Sequence, residues 1–138
     1  MRNIDRRSAV ALGLGAASAT LTKPVMAQTT ASPAPTETSP GPGVVVRTYG
    51  EERSLIPGFK TVLMRDVIVQ PGAKTQEETE MMNAMVCHIA EGELTIVQDG
   101  KRLTGKKNYV WTCNKGTKEH VVNESSAVGI MRITDLKA

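Results

Sequence analysis

Short runs of β-branched and other apolar residues, each ended by turn-forming residues, most limit how this chain folds. Residues 61–69 form one such run. Residues 94–97 and 101–104 form two more, and the Asp99-Gly100 dipeptide between them strongly favours a tight hairpin turn. Further runs of this kind follow at residues 84–90, 108–113, 120–122 and 127–133. Short strands at such close spacing predict an all-β protein, built as a sandwich or a small antiparallel β-barrel.

The first 27 residues have the pattern of a secretory signal peptide. Charged residues that include the pair Arg6-Arg7 precede a mildly apolar stretch at 8–22, and small residues up to Ala27 suit cleavage after that position. The arginine pair is typical of a twin-arginine signal, and the general secretory route is the alternative. The apolar stretch is too short to span a membrane. We therefore expect a signal peptide at 1–27 and a periplasmic or secreted protein that makes no membrane contact after cleavage.

Residues 28–43 separate this leader from the strand-rich part of the chain. They are mainly Thr, Ser, Pro, Ala and Gly, and they include no large apolar residue. Such a segment cannot bury enough surface to offset the entropy lost on ordering. We therefore predict a disordered linker at 28–43 and a single folded domain at 44–138.

The positive charge of the chain is concentrated in the leader. The sequence has 17 Lys and Arg against 14 Asp and Glu, and residues 1–27 contain four of the basic residues and one of the acidic ones. The rest of the chain is therefore neutral overall, and it contains only one Trp, two Tyr and one Phe. A neutral surface with so few aromatic side chains argues against a nucleic-acid partner.

Residues 68–133 resemble the conserved core of the cupins, a family of small jelly-roll barrels. In the first cupin motif, Gly72 stands at the opening glycine and Gly92 at the closing turn. In the second motif, the segment 114–116 stands at the Pro-X-Gly position, and His120 follows it after three residues, where the motif has its histidine after two. The resemblance implies a cupin jelly roll for the folded domain. Because cupins include enzymes, storage proteins and sensors, the fold alone does not fix an activity.

The usual cupin metal centre, three histidines and one glutamate, is mostly replaced in these motifs. Glu78 and Glu80 stand at the positions of the two histidines of the first motif, and Met85 stands at the position of its glutamate. Of the usual ligand set, the chain keeps only His120, near its expected place. The resemblance therefore implies an altered interior site.

Alternation along the strands predicts which other side chains share this interior. Successive side chains of a strand point to opposite faces. If Met85 points into the barrel, Cys87 does so too and His88 faces outward. The same alternation before the turn at 114–116 places Trp111 and Cys113 inside.

This interior set has three interpretations. In the first, Cys87, Cys113 and His120 bind one Zn or Cu ion, because thiolate and imidazole suit these metals. Glu78 or Glu80 is then a fourth ligand or a base.

In the second interpretation the barrel holds no metal. Met85 and Trp111 then pack with the two cysteines around a pocket for a small ligand, and Glu78 and Glu80 lie at its edge or in a solvated loop. In the third interpretation, an oxidising compartment favours a disulfide between the two cysteines, which excludes metal binding by the same sulfurs.

The sequence thus predicts an exported cupin-domain protein that binds a small ligand or a soft divalent metal inside its barrel. One alternative is a metal-dependent cupin enzyme, an oxygenase or isomerase with a non-standard ligand set. Another is a metal-free structural or accessory protein. The resemblance also implies a homodimer formed by exchange of residues 44–49, and an edge strand within one chain is the alternative for that segment.

Overall fold

The computed structural model describes Ala27 and residues 29–138, and a compact unit begins at Ala31. All regular structure in this part of the chain is β-strand, so the all-β prediction is confirmed. The strands are β1 (Thr36–Gly41), β2 (Val44–Arg53), β3 (Thr61–Val69), β4 (Thr79–Glu80), β5 (Ala84–Glu91), β6 (Glu93–Gln98), β7 (Lys101–Lys106), β8 (Val110–Cys113), β9 (Lys118–Val122) and β10 (Gly129–Lys137). No helix in the described residues is long and apolar enough to cross a membrane.

The strands form two antiparallel sheets around one core. The larger sheet has six strands in the order β1-β2-β3-β10-β5-β8, and the smaller sheet has four in the order β4-β9-β6-β7. Strand β10 therefore lies in the middle of the larger sheet, between β3 and β5. Side chains from both sheets meet in the core, which consists of Val44, Val67, Val69, Met85, Cys87, Ile89, Leu94, Ile96, Trp111, Cys113, Val121, Met131 and Ile133.

Two turns predicted from the sequence bound strand β6. Asp99 and Gly100 have φ angles of 47° and 78°, and a two-residue turn with positive φ at both positions is the type that matches the twist of a hairpin. Gly92 has a φ of 70° between β5 and β6, and a side chain there would collide with the backbone of Val128. The predicted hairpin and the predicted turn are therefore both present.

Strand β1 lies within the segment that the sequence predicts to be disordered. Its side chains are exposed, and it pairs with β2 through the backbone and through an ion pair of Glu37 with Arg47 at 2.7 Å. Composition misses this strand because backbone pairing to an existing sheet edge needs no large apolar side chain. The disorder prediction is therefore corrected for residues 36–43, whereas the predicted signal peptide falls outside the described residues except for Ala27.

The segment 44–49, expected to be exchanged between two copies, belongs to β2. That strand pairs with β1 on one side and β3 on the other. Both of its edges are therefore occupied within one chain.

Candidate metal site in the barrel interior

The strands β5 and β8 bring two cysteines into the barrel. Cys87 is fully buried, as are its same-face neighbours Met85 and Ile89, whereas His88 lies on the outer face opposite Arg132. The register inferred from the turn at Gly92 is therefore confirmed for β5. On β8, Trp111 and Cys113 are buried and their neighbours are exposed, as alternation predicts.

The two cysteines are diagonal neighbours on adjacent strands. Cys87 pairs with Trp111, and Cys113 pairs with Met85. Diagonal neighbours on antiparallel strands are about 7–8 Å apart, whereas disulfides need Cα atoms about 4.4–6.8 Å apart. Both cysteines are free thiols. The structure therefore does not have the disulfide that the third interpretation predicts.

Strand β9 places Glu119, not His120, beside the thiols. Glu119 is 4% exposed, whereas His120 lies on the other face of β9, opposite Val97 and in a surface groove with Glu78 and Lys118. The expectation that His120 converges with the two cysteines is therefore corrected. The residues of β9 that face the core are Glu119 and Val121, and His120 between them faces the other way.

A signal for Glu119 is present in the sequence. The second cupin motif has two residues between its glycine and its histidine, and counting two residues from Gly116 leads to Glu119. Glu119 thus stands at the position of the motif histidine. Its carboxylate replaces the imidazole, and His120 is a neighbour on the opposite face.

Cys87, Cys113 and Glu119 form one buried cluster. Their Sγ and carboxylate oxygen atoms all lie within 4.8 Å of one another. A metal bound at the usual Zn–S distance of about 2.3 Å and Zn–O distance of about 2.0–2.2 Å needs ligand atoms about this close together. The chemistry of this donor set fits a soft divalent ion, although it differs from the histidine-rich centre usual in cupins.

Three donors hold the Glu119 carboxylate in place. Its Oε2 accepts hydrogen bonds from Cys113 Sγ at 2.8 Å, Trp111 Nε1 at 3.0 Å and Gln98 Nε2 at 3.3 Å. The Trp111 ring stacks on Tyr109 with 5.8 Å between centroids, which orients the indole. Such supporting contacts are what hold a ligand in a fixed position for a metal.

The charge of Glu119 has no cationic partner in the described part of the chain. Asp66 and Asp135 are buried to the same degree, and each pairs with an arginine, Arg132 and Arg65 respectively, at 2.8 Å. Glu119 accepts hydrogen bonds from neutral donors only. A buried charge is costly when it is unpaired, so this carboxylate is a candidate ligand for a cation.

The Cys87 thiol is held in its protonated form in this environment. Contact with the Cys113 thiol, followed by burial and the nearby Glu119 carboxylate, raises the pKa of Cys87 well above its usual range. A metal ion that binds here therefore has to displace thiol protons, and its affinity rises with pH.

A cavity of about 240 Å³ lies beside Glu119. Glu119 and Arg65 are the only charged residues on its wall, and most of the rest is apolar, including Val46, Met131 and Ile133. Glu119 belongs both to the cavity wall and to the cluster, so a small molecule there would lie near a bound ion.

The four predicted pocket residues have different positions. Met85 and Trp111 are buried in the core, where they pair with Cys113 and Cys87 across the two strands. Glu78 and Glu80 are exposed in the segment around β4 and do not reach the thiols. Glu80 instead lies at the edge of a groove at one end of the barrel, together with Met85.

Comparison with known proteins identifies the fold. The sequence matches no established family profile and no curated protein. An RmlC-like cupin from Shewanella frigidimarina is similar in structure, with a TM-score of 0.61 and 15% identity over 75% of this chain and 85% of its own.

Two further solved structures are similar. A sugar phosphate isomerase of the cupin superfamily from Silicibacter pomeroyi has a TM-score of 0.57 and 18% identity over 70% of this chain and 60% of its own. A predicted oxalate decarboxylase from Thermotoga maritima has a TM-score of 0.56 and 15% identity over 76% of this chain and 93% of its own. Identities this low show the fold and not the activity. The chain has the jelly-roll fold of the RmlC-like cupins.

Proposed function

We propose that this protein is exported and binds one thiophilic divalent metal ion, Zn²⁺ or Cu²⁺, through Cys87, Cys113 and Glu119. The observation that carries the proposal is a buried carboxylate without a cationic partner that converges with two thiols. Thiolate sulfur and carboxylate oxygen are established ligands of zinc, and thiolate also suits copper.

The charges of the site favour a divalent cation over an empty site. The Cys113 thiol donates to Glu119, and an arriving ion takes the place of that proton. Two thiolates and one carboxylate carry three negative charges, and a divalent ion compensates two of them. Three protein ligands leave a fourth position, which water or a small molecule fills, as in open metal sites.

The leader at 1–27 supports the proposal of export, with the twin-arginine route as the preferred pathway. Outside the cytoplasm, thiols are normally at risk of oxidation to disulfides. The diagonal placement of Cys87 and Cys113 supports their persistence as metal ligands in a periplasmic or secreted protein.

A small-molecule ligand is the second candidate, on the evidence of the cavity of about 240 Å³ next to Glu119. That volume equals roughly eight water molecules at the share each has in the liquid, which suits a compact ligand and not a drug-sized one. A ligand bound there with the metal would make the site similar to that of an enzyme, such as an isomerase or oxygenase.

Titration with Co²⁺ tests the metal site directly. The leader-free protein, reduced and freed of metal, should bind one equivalent of Co²⁺ and develop thiolate-to-cobalt charge-transfer absorption that Zn²⁺ then abolishes. Glu119→Gln and Cys113→Ser should each weaken binding by about a hundredfold or more, because each removes a ligand. His120→Ala is the matched control and should bind normally, since its side chain lies on the outer face of β9.

Two results would contradict the metal proposal. One is a folded, fully reduced wild-type protein that gives no charge-transfer absorption with Co²⁺. The other is loss of binding in His120→Ala with normal binding in Glu119→Gln, which would restore the ligand set expected from the sequence.

A further inference from the structure

Methionine is concentrated where the chain enters β5. Three of the seven methionines in the sequence lie within one five-residue segment, at positions 81, 82 and 85. Their exposure falls steeply along the segment, because Met82 is 76% exposed, Met81 is half-buried and Met85 is 3% exposed. The three side chains therefore extend from solvent to the core at one end of the barrel.

The groove that contains Glu80 is lined by all three of these methionines and has a volume of about 250 Å³. We call it the methionine groove. The other charged residues on its wall are Arg65 and Asp135, which pair with each other at 2.8 Å. The wall therefore has a net negative charge from Glu80, which favours a cation over an anion in the groove.

Two of the methionines connect the methionine groove with the buried cluster. Met85 is the register partner of Cys113 across β5 and β8, and it lies two residues from Cys87 on the same face of β5. Directly opposite residues on antiparallel strands have Cβ atoms about 4.5–5.5 Å apart. Met81 lines both the groove and the cavity that Glu119 borders. Met81 and Met85 therefore belong both to the groove and to the surroundings of the proposed metal ligands.

Backbone hydrogen bonds fix the position of Met81. Its amide donates to the carbonyl of Thr117 at 2.8 Å, and its carbonyl accepts from the amide of Gly116 at 2.8 Å. Both partners lie in the turn between β8 and β9, which connects Cys113 to Glu119. The turn that joins two of the proposed metal ligands therefore also positions a thioether of the methionine groove.

Core packing explains only part of this arrangement. A buried methionine such as Met85 commonly fills a gap in a core. Packing does not account for Met82, since three-quarters of its surface is exposed. Thioether sulfur is a soft ligand that suits Cu⁺, and it is not among the usual ligands of zinc. A negative groove with three thioethers thus has the chemistry of a site for monovalent copper.

We propose that Met81, Met82 and Met85 form an entry site for Cu⁺, from which the ion passes to the thiolates of Cys113 and Cys87. In this transfer, copper–thioether bonds are exchanged for copper–thiolate bonds, the thiol protons leave to water, and the copper stays monovalent. The transfer rests on the proposed function for the interior ligands, whereas the entry site depends only on the methionines. Of the two metals proposed for the interior site, the entry site favours copper, in its monovalent state.

Silver ion tests the entry site, because Ag⁺ has the charge and softness of Cu⁺ and does not oxidise thiols. The sample is leader-free protein with Cys87→Ala and Cys113→Ala, labelled at the methionine methyl groups for NMR. One equivalent of Ag⁺ should shift the three methyl signals of the methionine groove, and Zn²⁺ should shift none of them. Met64 is the internal control, since it is 40% exposed on the outer face of β3, and its signal should not move.

The rate of copper loading gives a second measurement, in protein that keeps both cysteines. Transfer of Cu⁺ from a coloured chelator complex should be about tenfold slower in Met82→Leu than in wild type, with the same final amount of copper bound. Met82→Leu changes an exposed side chain and leaves the fold intact. Met64→Leu is the matched control and should load at the wild-type rate.

Groove methyl signals that Ag⁺ leaves unchanged overturn the proposal, and so does a shift of Met64 as large as that of Met82. Equal loading rates in wild type and Met82→Leu refute the transfer step. If Ag⁺ binds the methionines of the thiol-free variant while wild type gives no charge-transfer absorption with Co²⁺, the entry site stands and the proposed interior site fails.

Discussion

Two buried carboxylates in this barrel, Asp66 and Glu119, have the same 4% exposure but opposite electrostatic surroundings. Arg132 donates to both oxygens of Asp66, at 2.8 and 2.9 Å, and the Tyr49 hydroxyl adds a third hydrogen bond at 2.9 Å. Glu119 instead accepts from a thiol, an indole and an amide. The two residues therefore have similar hydrogen bonding, but only Asp66 has its charge balanced.

The difference separates a structural pair from a candidate binding site. The guanidinium of Arg132 holds the pKa of Asp66 below its usual value in spite of burial, so this carboxylate is stable as an ion. At Glu119, neutral donors fix the geometry and leave the compensating charge to come from outside the chain. A carboxylate that is held in a fixed position but has no cationic partner is well suited to bind a metal ion.

Replacing each of the two acids by its amide should give the largest difference in the free energy of unfolding. Asp66→Asn leaves Arg132 without its ionic partner and should lower the free energy of unfolding by about 2 kcal/mol, which is less than for a fully buried pair because the Arg132 side chain is 42% exposed. Glu119→Gln keeps an oxygen for the three donors and should cost at most about 1 kcal/mol in metal-free protein. Urea unfolding at neutral pH measures both, and equal losses would refute the comparison.

Removal of one supporting donor should have a moderate effect on the metal and a small one on the fold. Gln98→Ala deletes the amide that contacts Glu119, so metal affinity should fall about tenfold, which is about 1.4 kcal/mol. Competition with a zinc-sensitive dye measures this change. Gln70→Ala, at an exposed position beyond β3, is the control that should bind like wild type, and a wild-type affinity in Gln98→Ala would exclude the supporting role.

Acid should weaken the Asp66 region by a smaller and graded amount. Because the pKa of Asp66 is lowered in the folded state, the unfolded chain takes up the proton first as the pH falls. The pKa of Asp66 in the unfolded chain is about 4. The pair contributes its full stability well above that pH, and this contribution is lost as the pH falls through the lower pKa of Asp66 in the folded state. Urea midpoints at descending pH should fall more steeply for wild type than for Asp66→Asn, and parallel profiles would contradict this assignment.

The sequence predicts the cysteine half of the candidate site and misses the carboxylate half for a definable reason. On β5 and β8 a turn directly bounds the strand, so the alternation of Cys87 and Cys113 follows from counting. On β9 the inward-facing residues depend on the length of the turn that follows Asn114. A change of one residue in that length would exchange the inward-facing and outward-facing side chains of the strand. Counting from Gly116 by the motif spacing, and not to the nearest histidine, leads to Glu119.

Other features depend on contacts that local sequence does not encode. Strand β1 has only exposed side chains, and it exists because β2 offers an open edge. The pair of Asp66 and Arg132 joins residues far apart in the chain, which become neighbours only through the register of β3 with β10. Composition and periodicity predict strands well, but the partners of each strand are a property of the topology.

The central place of β10 makes the order of synthesis matter for folding. Every residue of β10 (Gly129–Lys137) pairs with β3, and most also pair with β5. During synthesis, β3 and β5 therefore lack the strand that lies between them until the chain has grown past residue 129. Until then each exposes an unpaired edge, which invites aggregation. A chain that ends before residue 129 therefore cannot close its larger sheet and leaves one edge of β3 and one edge of β5 unpaired.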